Sequence, residues 1–252
     1  MYSYLHRYHA GNFADLHKHI CLLAIIQYLH KKPGGVFYLD AFAGEGYYDI
    51  TSSEAQRNQE YLSGYGLLDN LKSSHQLFKD LADLVKTDIL PGSPAVIASG
   101  LRENDRAFFI DNHPQAYQNL HDNFQYDKNI KTSKRESYEA VKSLVPYTES
   151  RGLILLDPSY EVKDEYGKIV DLVVSSYKKN ATGIYMIWYP IIANKNYHKE
   201  LFQLFDKITN EKIWHHQFMP NKNTDGMIGS GLIVVNMPWS VDGEVEECFS
   251  EI

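Results

Sequence analysis

Seven short apolar or β-branched runs alternate with stretches of helical periodicity. That alternation restricts the chain to a mostly parallel sheet with helices on both faces. The runs cover residues 36–39, 107–110, 130–133, 153–156, 183–188, 212–218 and 232–235, bounded by Gly, Pro, Asn or Asp. Residues 16–30 carry apolar side chains at 16, 20, 22, 23, 26 and 29, a broad helical face, and 115–126, 136–145 and 166–179 also read as helices. No helix separates the last two runs, which predicts an antiparallel hairpin at the C-terminal end. Residues 52–101 break the alternation with helical pattern at 54–71 and 77–86, then Pro91-Gly92-Ser93-Pro94. They are read as a helical insertion subdomain within a single domain spanning 1–252.

A net charge of -7 argues against a protein that coats nucleic acid non-specifically, because neutralising phosphates needs Lys and Arg. It is compatible with an enzyme whose acidic pocket has a local basic rim. Nineteen tyrosines suit base stacking as well as ordinary surfaces. The two cysteines, Cys21 and Cys248, form no Cys-x-x-Cys pair, which fits a reducing cytosol. The longest apolar run, 20–26, is too short to span a bilayer. The expectation is a cytoplasmic protein without membrane contact, and a monomer, since no apolar stripe stands out.

Four strand ends carry chemistry. The first runs into Asp40-Ala41-Phe42-Ala43-Gly44-Glu45-Gly46, where small residues let backbone amides approach a ligand. Asp49 occupies the position where a dinucleotide fingerprint wants a third small residue, so the pattern reads instead as a loop for S-adenosyl-L-methionine. Asp111, after the second run, has the place of an acid that accepts ribose hydroxyls, with helix capping as the alternative. Glu136, after the third, has the place of an acceptor for an adenine amine, with a solvated helix start as the alternative.

The fourth end, Asp157-Pro158-Ser159-Tyr160, is the sharpest. An amine conjugated to an aromatic ring is a poor nucleophile because its lone pair is delocalised. A carboxylate at Asp157 and the Pro158 carbonyl can each accept one amine N–H and aim the lone pair, while Tyr160 stacks on the base. Catalysis is then orientation and electrostatics.

His6, His9, His17 and His19 suggest a metal, but His17 and His19 face different sides of a helix and no carboxylate or cysteine set with ligand spacing accompanies them, so no metal is expected. Basic residues at Arg7, Lys178-Lys179, Lys195, Lys199 and Lys222, with Tyr4, Tyr8, Trp188 and Tyr189, are candidates for an RNA-binding rim.

The chain also resembles the bacterial standalone 23S ribosomal RNA adenine-N6 methyltransferases. The resemblance runs from residue 1 to about Trp239. It is carried by the run from Tyr4 to Asn12, Ala14-Asp15, Lys18-His19, Leu39-Asp40, Ala43-Gly44, Pro91-Gly92-Ser93-Pro94, His113-Pro114 and Arg151-Gly152-Leu153-Ile154. Ala181-Thr182-Gly183-Ile184-Tyr185, Trp188-Tyr189-Pro190, Gly226-Met227 and Ser230-Gly231 complete it. It implies an α/β, class I Rossmann-like methyltransferase fold. It implies contacts to S-adenosyl-L-methionine at Lys18, His19, Ser93, Asp111, Glu136 and Asp157, to which the first loop adds Asp40, Phe42 and Gly44. Tyr4, His6, Arg7 and Tyr160 are the expected substrate contacts, and Asp157, Pro158 and Tyr160 the expected catalytic residues. The implied substrate is an adenine in 23S ribosomal RNA, protein-free or partly assembled.

The chain departs from the family where Ser159 replaces a proline, Phe42 a histidine, Asp111 a glutamate and Glu136 an aspartate. A DNA adenine methyltransferase or DNA-utilisation protein, and an inactive nucleic-acid-binding homologue, are the alternative readings.

Overall fold

A computed structural model describes residues 5–208, 213–220, 225–250 and 252. Tyr4, Lys212 and Lys222, named above, lie outside the described residues. Among the described residues nine strands form: β1 Val36–Asp40, β2 Tyr47–Asp49, β3 Ile89–Pro91, β4 Arg106–Ile110, β5 Ile130–Ser133, β6 Arg151–Leu156, β7 Ile184–Ile192, β8 Ile213–Phe218 and β9 Met227–Val235. Seven of them build one sheet in the order β5-β4-β1-β6-β7-β9-β8. All pair in parallel except β9, which is antiparallel to both β7 and β8. The expected C-terminal hairpin is therefore β8–β9. The strand order reverses at β1, with β4 and β5 on one side and β6 on the other. Ligands of open α/β sheets sit at such a switch point, outside the carboxyl ends of the strands.

β7 and β9 run further than expected because glycine pairs with bulk. Tyr189 faces Gly231 across the ladder, and a Cβ on Gly231 would stand 2.0 Å from the Tyr189 ring. Gly231 lacks strand propensity but gives Tyr189 room, and Ser230 Oγ accepts from Trp188 Nε1 at 2.9 Å.

Among the described residues ten α-helices accompany the sheet: α1 Phe13–His30, α2 Ser53–Asn58, α3 Leu68–Leu71, α4 Gln76–Ala82, α5 Ser93–Ser99, α6 Pro114–Phe124, α7 Ser137–Leu144, α8 Glu165–Lys179, α9 Gln203–Lys207 and α10 Val241–Ser250. α1 begins three residues before the expected start, because the Asn12 side chain caps it by accepting from Ala14 N and Asp15 N. Its periodicity suggests one apolar face, yet residues 13–26 are buried throughout. The helix lies between the sheet and a second layer made of α4, α5 and α10.

The segment expected as one helix over 54–71 is divided. Gln59 adopts a left-handed backbone with φ 50° and ends α2, and short 3-10 turns follow. β2 and β3, absent from the sequence pattern, pair antiparallel at the neck of this segment. Gly92 N donates to Gly46 O at 2.8 Å just beside them. The excursion thus leaves and returns at one point, which keeps β1 and β4 in register.

Candidate active site

The carboxyl ends of β1, β4, β5 and β6 open onto a cavity of about 600 Å³. α1 supplies Lys18 and His19 to its lining, and the segment before it supplies His6. The loop after β1 supplies Phe42 and Gly44, the start of α5 supplies Ser93, and the ends of β4 and β5 supply Asp111 and Glu136. The turn after β6 supplies Asp157, Pro158, Ser159 and Tyr160.

Gly44 has φ 62°, a left-handed conformation, and a Cβ there would stand 2.2 Å from the Tyr48 hydroxyl. Its amide donates to Asp111 Oδ2 at 2.9 Å, while Asp111 Oδ1 accepts from His113 N at 2.8 Å. Asp111 therefore ties the glycine loop to β4. It is not the cap of α6; His113 is, through its ring nitrogen. Burial pushes the Asp111 carboxyl above its ordinary value. Glu136 caps α7 by accepting from Glu139 N at 2.8 Å and borders the cavity as well. The Phe42 ring stands edge-on to Tyr138, with centroids 5.8 Å apart.

Asp157 is paired with Lys18. The Lys18 ammonium also reaches Asp15 Oδ1 at 2.9 Å and lies 5.9 Å from the centre of the Trp188 ring. Burial alone would lower the Lys18 pKa, but Asp15 and Asp157 outweigh it and hold the group above its ordinary value. Asp15 in turn accepts from His6 Nε2 and from Gly11 N, each at 2.8 Å. Burial opposes its charge, yet His6 and Lys18 hold the carboxyl well below the usual range.

Tyr160 has φ 51°, a conformation that costs a non-glycine residue about 1–2 kcal/mol. Two contacts hold it. Its hydroxyl donates to Trp188 O at 2.8 Å, and its ring stacks on Tyr166 with centroids 4.3 Å apart. Ser159 is exposed, so the position where the resembled family has proline faces outward.

His19 Nδ1 bonds to the Tyr65 hydroxyl at 2.8 Å, and that hydroxyl donates to Pro91 O at 3.4 Å. His19 Nε2 stands 3.9 Å from Asp15 Oδ1. Nε2 is buried with no hydrogen-bond partner among the described residues. Burial pushes the His19 pKa down to about 3, so the ring is neutral at physiological pH.

Two expected residues stand off the cavity. Asp40, fully buried at the end of β1, is not part of its lining. Arg7 is engaged by Glu45 at 2.8 and 2.9 Å and by Glu54 at 3.3 Å, a strut between the glycine loop and α2. Lys178 and Lys179 end α8 at the opposite edge of the sheet, where Lys179 donates to Lys142 O. Asp15, Tyr65 and Tyr166 were not singled out from the sequence for the site. The Asp15, Lys18, His19 spacing of one helical face pointed to the first of them. Nothing local marks the other two.

Among the described residues no group of three His, Cys, Asp or Glu could hold a metal ion. His17, one of the four N-terminal histidines, bonds to Ser230 Oγ and His216 Nδ1, each at 2.9 Å. No described helix is long and apolar enough to cross a membrane.

A seven-stranded sheet of this order, with strand-end acids around one cavity, is a class I Rossmann-like methyltransferase fold. The family model described as ribosomal RNA large subunit methyltransferase D, RlmJ, matches residues 33–250. A Haemophilus influenzae protein named ribosomal RNA large subunit methyltransferase J is 36% identical over 98% of this chain and 91% of its own. The Escherichia coli protein of that name is 34% identical over 97% and 90%. The crystal structure of a Legionella pneumophila protein superposes with a TM-score of 0.88 at 29% identity, over 96% of this chain and 92% of that one. The chain belongs to the RlmJ family of ribosomal RNA large subunit methyltransferases.

Proposed function

We propose that the protein methylates the N6 amine of an adenine in 23S ribosomal RNA, protein-free or partly assembled, with S-adenosyl-L-methionine as donor. The observation that carries this reading is the Asp157–Tyr160 turn on the cavity, its carboxylate paired with Lys18 and its ring fixed by Tyr166 and Trp188.

The residues present fit the cofactor. His19 Nε2 is a buried ring nitrogen with no hydrogen-bond partner among the described residues, of the kind a polar group of a ligand satisfies. The Gly44 turn admits close approach, and Asp111 and Glu136 retain acceptor capacity for hydroxyls and an amine. When bound, the cofactor supplies an electrophilic methyl on a sulfonium. Lys18, His19, Ser93, Asp111 and Glu136, with Phe42 and Gly44, are its proposed contacts, and Asp40 supports them from behind the wall.

Lys18 occupies Asp157 Oδ2, which leaves Oδ1 for one amine N–H, and the Pro158 carbonyl takes the other. The nitrogen is then pyramidal, its lone pair directed away from the ring. Tyr166 covers one face of Tyr160, so the base stacks on the other. Tyr4, His6 and Arg7 belong to the segment proposed to meet the RNA, His6 on the cavity and Arg7 as its anchor.

Labelled S-adenosyl-L-methionine with deproteinised 23S RNA or with DNA, followed by digestion to nucleosides, tests the reading. N6-methyladenosine from RNA is expected. Label in DNA alone favours a DNA enzyme, and cofactor binding without transfer favours an inactive homologue. Asp157→Ala should cut transfer by about a hundredfold or more while keeping the fold by circular dichroism. Retained activity would rule out the amine-orienting role.

A further inference from the structure

We infer that Lys163, Lys195 and Tyr197 form a cradle for the phosphates flanking the target nucleotide of a single-stranded RNA segment, an inference that rests on the RNA reading above. Lys163 lies in the loop from β6 to α8, and Lys195 and Tyr197 follow β7. Both loops leave the carboxyl ends of neighbouring parallel strands, the edge where the cavity opens, and Lys195 and Tyr197 line that cavity.

The two ammonium groups converge on one ring. Lys163 Nζ stands 5.2 Å and Lys195 Nζ 5.9 Å from the centre of Tyr197. Among the described residues neither lysine is in an ion pair with a carboxylate, so both charges are open to an arriving anion. Glu161 and Glu165 line the same cavity. An exposed cation–π contact contributes only about 0.5–1 kcal/mol. It positions an ammonium without consuming it, so an arriving phosphate can take the charge at little cost.

An adenine turned into the cavity brings its own two phosphates to the mouth, whatever the surrounding sequence. Two cations at the mouth of a chain of net charge -7 meet that requirement locally. The cradle is also joined to the base site. Tyr197 lies 6.4 Å from Tyr166, which stacks on Tyr160. Tyr197 and Val162 are exposed beside it, 38% and 56% respectively, so the surface is open to a ligand.

The test measures binding of deproteinised 23S RNA between 50 and 200 mM salt, alongside methyl transfer to the same RNA by the unaltered protein. Lys163→Gln with Lys195→Gln should weaken binding and flatten the log–log salt slope by about 1.4, at about 0.7 per phosphate contact, and each single change by half of that. Affinity for S-adenosylhomocysteine should stay unchanged. Tyr197→Leu, which removes the ring both ammonium groups stand over, should move toward the double variant. Lys178→Gln with Lys179→Gln, at the far edge, should leave the slope alone. An unaltered slope in the lysine variants of a protein that still methylates the RNA overturns the cradle. Failure of the unaltered protein to bind or methylate the RNA overturns the RNA reading, and the cradle with it.

Discussion

Asp40 is a carboxyl whose charge has no favourable place to sit. Burial pushes its pKa up to about 7 from an ordinary 3.8, although Ser93 and Lys18 pull the other way. Its Oδ2 has no hydrogen-bond partner among the described residues. The folded chain therefore binds this proton more tightly than the unfolded chain does. That contribution to stability is full below about pH 4 and is lost as the pH rises through about 7. Asp40→Asn is nearly isosteric and neutral, and should remove the dependence. Urea midpoints at pH 5 and pH 8 should differ less in the variant than in the parent. An equal difference in both would mean that Asp40 is ionised throughout. Tyr160 is also under constraint, its left-handed backbone held by one hydrogen bond and one stack.

At the scale of elements, α1 is the organising piece. It carries Asp15, Lys18 and His19 on one side, while Phe13, Leu16, Ile20 and its other apolar residues fill the core around it. Burying Asp15 and Lys18 is tolerable only because each has a charged partner with hydrogen-bond geometry. The helix start is fixed by Asn12, which also donates to Glu60 at 3.1 Å and so pins α1 to the segment beyond α2. Asn12→Ala should lower stability by about 1–2 kcal/mol, the upper part of the range for a lost cap, measured by urea unfolding. A loss below a few tenths would mean that the cap adds little to a helix already enclosed.

At the scale of the molecule, the cavity exists only when distant segments meet. Lys18 and Asp157 are 139 residues apart, and His19 and Tyr65 are 46 apart. A ligand that binds there stabilises every wall at once. S-adenosylhomocysteine at a hundred times its dissociation constant should add about 2.7 kcal/mol. For a chain of this length that is a rise of roughly 5–10 °C in melting temperature. No shift by calorimetry would disprove the cavity as the cofactor site.

The sequence by itself determined the parallel sheet, its C-terminal hairpin and the strand-end positions of Asp111, Glu136 and Asp157. Alternating periodicities record which faces are buried, and a strand that ends in an acid puts that acid at the carboxyl edge. The resemblance added Lys18, His19 and Ser93, which no periodicity marks. Only the tertiary structure decided that α1 is enclosed on all sides, that β2 and β3 close the neck of the excursion, and that residues 241–250 form α10 with Cys248 and Phe249 buried. The same holds for Arg7, whose charge two glutamates take up, and for Lys163 and Lys195, which meet over Tyr197. The reason is physical. Local pattern reflects backbone preference and one-sided burial, whereas the state of a charged group depends on what stands opposite it, and here those partners come from other segments of the chain.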